Sequence, residues 1–198
     1  MVRYLLIILT LINILIPNIC FAYSNEPNGF RNMIWGDNLQ KLVDQYGGYV
    51  EYDKATSLDK INEKTYIGYT TDPYVSNIKI DNDIRYEFFN DQFYSVSFKS
   101  SYSNLSDLEK KFKSLYSKME IIYGKADMSI PTLYNDFKSI SSYYWVGSYN
   151  GVNIDLTIYP FPEISKYVLS VTITYRPIQR NINKIFKEYV ENEAKKGW

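Results

Sequence analysis

Ile84-Arg85-Tyr86-Glu87-Phe88-Phe89-Asn90-Asp91-Gln92-Phe93-Tyr94-Ser95-Val96-Ser97-Phe98-Lys99 is the stretch that decides the fold. Ile84, Tyr86 and Phe88 alternate with polar residues, and Tyr94, Val96 and Phe98 do so again. Successive strand side chains point to opposite faces, so period-two alternation gives one apolar and one wet face. Asn90-Asp91 supplies the turn between the two runs. The stretch reads as an antiparallel hairpin packed on one side only.

Working outward, more strands appear on both sides. Tyr49–Asp53 and Thr65–Thr71 are β-branched and aromatic, with a polar stretch between them. Val75–Ile80 leads into the hairpin through Asp81-Asn82-Asp83 and completes a meander. Downstream, Tyr143–Tyr149 and Val152–Tyr159 flank Asn150-Gly151, the strongest hairpin signal in the chain. Pro160 and Pro162 break the next connection, and Val168–Tyr175 is another alternating strand.

Three helical segments punctuate these strands. Asp37 with Gln40 reads as a capping box for a short helix bearing Leu39, Leu42, Val43 and Tyr46, stopped at Gly47-Gly48. Ser106 with Glu109 opens a longer helix whose stripe includes Leu108, Phe112, Leu115, Met119 and Ile122, closed by Gly124. A last amphipathic helix follows Pro177 and runs to about Ala194, with Ile178, Ile182, Ile185, Phe186, Tyr189 and Val190 on its apolar side. The expectation is an α+β fold: an antiparallel sheet with helices packed on one face. Each half opens with a helix ending in Tyr-Gly, at Tyr46-Gly47 and Tyr123-Gly124, and continues into strands. A tandem α-β-β-β repeat, residues 30–103 and 104–198, is therefore one reading of a single domain over 23–198.

Residues 1–22 read as a secretory signal peptide. Arg3 supplies the positive start, Leu5–Ile16 the apolar run, and Cys20-Phe21-Ala22 the small residues before a cut. The apolar run is shorter than the roughly 20 residues a spanning helix needs. The expected location is the periplasm or the exterior, with no stable membrane span after cleavage. Removing residues 1–22 from 198 leaves 176, enough for a self-sufficient core. It also removes Cys20, the only cysteine, and the chain has no histidine. Disulfides, cysteine or histidine catalysis, and His- or Cys-ligated zinc or haem are then excluded from the mature part. With Arg3 gone, 21 basic residues face 22 acidic ones, which gives nucleic acid no basic footprint.

Other chemistries are weak in this sequence. Ser114-x-x-Ser117-Lys118 lies within a lysine-rich helix and has no nucleophile motif around it. Asp81-Asn82-Asp83 lacks the further ligands a calcium loop needs and reads as a turn. Glu87 and Asp155 fall on the polar side of predicted strands, and a facing pair of that kind could hydrolyse a glycan. No cofactor is expected.

The segment Phe30-x-x-Met33-Ile34-Trp35-Gly36, followed by Leu39 and Leu42, resembles a group of uncharacterised exported bacterial proteins that start with Phe, an apolar pair and Trp-Gly before a short helix. Tyr86-Glu87-Phe88-Phe89, Tyr123-Gly124 and Trp145 match the same pattern further on. This resemblance implies export and brings no activity with it. In layout the chain is also similar to the β-lactamase-inhibitor-protein type of fold and to the small lipoprotein of the outer-membrane assembly machine. That similarity implies architecture, since a fold does not carry its function with it.

The functional expectation is an exported cell-envelope binding or assembly protein without catalytic activity, inhibitor-like in its use of a surface. Its partner would be an envelope protein or a glycan. The alternative is a carbohydrate-active hydrolase with paired carboxylates. Binding hot spots favour Tyr, Trp and Arg. The candidates are therefore Arg85 and Tyr159 on the polar face, with the aromatic run Tyr143-Tyr144-Trp145 beside them. Phe89 is a further anchor expected on that open face.

Overall fold

The hairpin read from residues 84–99 stands at the centre of an eight-stranded antiparallel sheet. The structure is a computed structural model that describes residues 25–46, 50–58, 61–69, 74–75, 78–81, 83–131, 141–147, 150–161 and 166–196. The leader, Gly47-Gly48, Asn82 and Pro162 lie outside the described residues. In chain order the strands are β1 (Gly29–Phe30), β2 (Met33–Ile34), β3 (Val50–Leu58), β4 (Ile61–Tyr69), β5 (Tyr74–Val75), β6 (Ile78–Lys79), β7 (Asp83–Phe89) and β8 (Gln92–Tyr102). They continue with β9 (Met128–Pro131), β10 (Ser141–Trp145), β11 (Val152–Phe161) and β12 (Lys166–Tyr175). The helices are α1 (Leu39–Tyr46), α2 (Leu105–Tyr123) and α3 (Arg176–Lys196).

The main sheet runs β3-β4-β7-β8-β12-β11-β10-β9, with β1–β2 and β5–β6 as separate small hairpins. Four strands from before α2 and four from after it meet at the β8–β12 seam, so each half supplies one strand more than the α-β-β-β reading. The additional strand residues come from two places. Residues 54–58 extend β3 and residues 61–64 extend β4, and the two strands pair along this polar part of the chain. Met128–Pro131, where no strand is expected, pairs with β10. In place of a further meander strand, Tyr74–Val75 and Ile78–Lys79 pair with each other outside the main sheet. Pro160 does not end β11. It sits beyond the residues that pair with β10, opposite Tyr167 of β12, where a missing N–H costs no ladder bond.

The turn at Asn90-Asp91 takes positive φ at both residues, 50° and 62°, as a tight two-residue hairpin requires. Close by, the register shifts between Glu87 and Phe88. This bulge changes which side chains face the core. Phe93, not Tyr94, joins Val96 and Phe98 in the main cluster. That cluster holds Ile84, Tyr86 and Phe88 from β7, Ile154 and Leu156 from β11, and Val171 and Ile173 from β12. Leu42 of α1 and Leu108, Phe112, Leu115 and Met119 of α2 cover it. Each such side chain contributes on the order of 1.5–3 kcal/mol through burial. The expected α+β architecture, with helices on one face of an antiparallel sheet, holds for α1 and α2. The last helix adds a second, separate cluster, in which Ile182 packs on Phe89 and Tyr94.

The caps differ in detail from the sequence reading. Asn38, not Asp37, caps α1, its Oδ1 accepting from the Lys41 N–H at 3.2 Å. Asp37 accepts from the Ile34 N–H instead. Asn104, not Ser106, caps α2 by accepting from the Asp107 N–H at 2.9 Å, and its amide donates to the Asp107 carboxylate. Gly124 ends α2 at φ 84°, and its N–H donates to the Glu120 carbonyl. Trp35 docks the start of the chain. Its ring stacks on Phe93 at 4.8 Å and on Tyr175 at 6.1 Å, and its Nε1–H donates to the Pro27 carbonyl.

Candidate functional site

The side chains that alternate away from the main core form cross-strand rows. Register sets Tyr144 opposite Asp155, Asp155 opposite Thr172, Thr172 opposite Ser97, and Ser97 opposite Arg85. The row spans four strand spacings, about 19 Å. The next row sets Thr157, Ser170 and Lys99 side by side. Beyond it comes Tyr159, whose ring lies 5.8 Å from the Lys99 ammonium. At the β9 side, Met128 pairs with Tyr144 and Ile130 with Ser142, so both belong to this face as an apolar rim. Met128 is 48% exposed and Ile130 45%.

The five candidate residues separate by face. Arg85, Tyr144 and Tyr159 lie on the polar face and are half-buried. Tyr143 and Trp145 do not join them. Tyr143 turns inward onto Tyr116, with ring centroids 4.1 Å apart. Trp145 is fully buried, and its Nε1–H donates to the Gly124 carbonyl at 2.8 Å. Both are core residues of the α2–sheet contact, as strand alternation around Tyr144 requires. Phe89 is a further correction: it is 1% exposed, because α3 covers it. Ser95, in the neighbouring row, is buried as well, its Oγ 3.4 Å from Thr174 Oγ1.

Electrostatics single out Asp155. Burial pushes its carboxyl up to about 6, because desolvation disfavours the charged form. Glu87, the other acid of the proposed hydrolytic pair, lies three strands away in a neighbouring row that reads Asn153, Thr174, Ser95, Glu87. Three strand spacings come to about 14 Å. A glycosidase pair needs carboxyl groups roughly 5–9.5 Å apart.

A different acid pair does converge. Glu63 accepts a short hydrogen bond from the Tyr94 hydroxyl. Burial raises the Tyr94 pKa most, and the Glu87 charge and the bond to Glu63 raise it further. Tyr94 is 1% exposed beneath α3, so this cluster faces no open cleft. Sequence reasoning missed it because Glu63 falls in the polar stretch between the two strand runs, where no periodicity assigns it a face. Among the described residues, no group of three or more Asp, Glu, His or Cys side chains is placed to hold a metal ion. No helix among them is long and apolar enough to cross a membrane. No protein-family model matches this chain, and no match is found among curated proteins or solved structures.

Proposed function

We propose that the protein is an exported, non-catalytic binding or assembly module of the cell envelope, and that it holds a protein partner on the uncovered part of its polar sheet face. The reading rests on one observation above the rest. Arg85, Asp155 and Tyr144 share a single cross-strand row that ends at the exposed apolar rim of Met128 and Ile130. Hydroxyl-bearing side chains at Ser97, Thr157, Ser170 and Thr172 fill the space between charged and aromatic groups. Such a face offers many hydrogen bonds and a few aromatic anchors, the usual make-up of a hot-spot interface. The signal-peptide reading of residues 1–22 supports export. Glu87 and Asp155 stand three strands apart and in different rows, more than about 14 Å, which speaks against the hydrolase alternative.

The test is capture of a partner from the native envelope by the purified protein, followed by alanine at Arg85, Tyr144 and Tyr159. The expected result is at least a tenfold loss of affinity for one of the three, with thermal melting unchanged. Full affinity in all three variants defeats the sheet-face reading. Mass spectrometry of the protein from its own host checks the export reading: the expected first residue is Tyr23, and an intact Met1 refutes cleavage.

A further inference from the structure

A second concave surface lies elsewhere, between the β5–β6 hairpin, the end of β8 and the first turns of α2. It is an open cleft of about 690 Å³, within the range of small-molecule sites. Its walls come from three separate elements: Tyr74 and Lys79 from the hairpin, Tyr102 from β8, and Lys111 from α2. Lys79 and Lys111 are both exposed, and neither has an ion-pair partner among the described residues. The one acid in the lining, Asp81, is already engaged. Its Oδ1 accepts from the Ser101 N–H at 3.1 Å and its Oδ2 from the Ser101 hydroxyl at 2.7 Å. Among the described lining residues, two lysines therefore face the cleft, and the Asp81 carboxylate beside them is bonded to Ser101. Asp107, on the first turn of α2, is a second carboxylate near the Tyr102 wall.

The aromatic component is equally specific. Tyr74 is 55% exposed, a large ring left at the rim. Tyr102 is half-buried and packs on the main core, which fixes its ring as a wall. Burial raises the Tyr102 pKa most, the Ser100 bond lowers it, and the Asp81 and Asp107 charges raise it again. Flat rings next to hydroxyl donors suit the alternating CH and OH surfaces of a sugar. Ammonium groups on two elements suit carboxylates spaced along it.

We infer that this cleft binds a saccharide bearing carboxylate groups, with Tyr74 and Tyr102 against the sugar rings and Lys79 and Lys111 on the acids. The site is distinct from the polar sheet face and stands independently of it.

Calorimetric titration of the purified protein with a galacturonate tetrasaccharide tests this, with neutral cellotetraose and citrate as comparison ligands. The tetragalacturonate binds saturably, and its affinity falls as salt rises. Lys111→Gln and Lys79→Gln each weaken it about tenfold, the usual scale for one charge-assisted hydrogen bond. Tyr74→Ala weakens it as well, while Arg85→Ala leaves it unchanged. Both lysines are exposed, so the two Gln variants keep the wild-type melting temperature, and Tyr102→Phe retains the ring should a larger change at that position disturb folding. No saturable binding at millimolar ligand overturns the inference. So does binding that survives both lysine substitutions, binding of cellotetraose equal to that of the acidic oligomer, or binding of citrate equal to it.

Discussion

Two regions of the same polar sheet face have opposite fates. Around β7 and the start of β8, α3 closes the face, with its Ile182 packed on Phe89 and Tyr94. Around β10 and β11, Tyr144, Asp155 and Thr157 stay partly open. The strands are equally regular in both places. What differs is how the large side chains are grouped. Phe89 and Tyr94 share one cluster in the first region. In the second, Tyr144 and Tyr159 stand in different rows among hydroxyls and a carboxylate, with Met128 and Ile130 at the edge. A helix docks where burial outweighs desolvation of polar groups, and a row of Asn153, Asp155 and Thr157 gives it too little to bury. Two side chains, one of them brought into place by the bulge at Glu87/Phe88, thus decide where the last 21 residues of helix lie.

The largest effect should come from breaking the main core that lies behind both regions. Phe112→Asp or Val171→Asp places an unpaired carboxylate in the main core and should cost more than about 4 kcal/mol. The expected outcome is a chain unfolded at 25 °C by circular dichroism. An unchanged melting curve would overturn the helix-on-sheet layout.

Next, Ile182→Ala should cost about 2–4 kcal/mol and release α3 alone. Hydrogen exchange should speed up across 176–196 while β11 and β12 keep their protection. Equal loss of protection in both would mean that the two clusters are one.

Asp155→Asn tests the open region through pH. The Asp155 carboxyl has its ordinary value near 3.8 when unfolded and about 6 when folded. Between those values the folded state holds a proton that the unfolded state has released. This contribution to stability is therefore complete below pH 4 and lost as pH rises through 6. The loss is at most about 3 kcal/mol. The Asn variant should be the more stable at pH 7, and its unfolding free energy should be flatter between pH 4 and 6. Identical pH profiles would show that Asp155 is solvated.

The smallest effect is expected at the rim. Lys99→Ala removes an exposed cation from the Tyr159 ring and should change stability by no more than about 0.5 kcal/mol in urea titration. A loss above 1 kcal/mol would mean that the open region is held together more tightly than its exposure indicates.

These contrasts also explain what the sequence could convey. The β7–β8 hairpin was legible because alternation and a two-residue turn agree over 84–99. The β11–β12 pair was legible for the same reason. The hairpin of β3 and β4 was not, because Lys54, Asn62, Glu63 and Lys64 give a polar run no period to read. β9 is four residues long and ends in Pro131, too short for any alternation to register. Tyr94 defeated the period-two rule because the register shifts beside it, whereas Phe89 kept to the rule and was covered by α3. Of the candidate site, alternation placed Arg85, Tyr144 and Tyr159 on the polar side and turned Tyr143 and Trp145 to the other. Whether a helix would lie over part of that side depends on contacts between β4, β8, β12 and α3, which are distant in sequence. The cleft at Lys79 and Lys111 has the same origin: three elements meet there, and none carries a motif.

Trp35 joins three distant parts of the chain in one stack: its own entry segment, Phe93 in the central hairpin and Tyr175 at the end of β12. Its indole is therefore an optical reporter on the integrity of the whole molecule. A cut at residue 103 leaves Trp35 and Phe93 on one fragment and Tyr175 on the other, so neither fragment retains the complete stack. Heat or denaturant should accordingly give a single fluorescence transition that coincides with loss of far-ultraviolet dichroism, since the chain's beginning and end melt together.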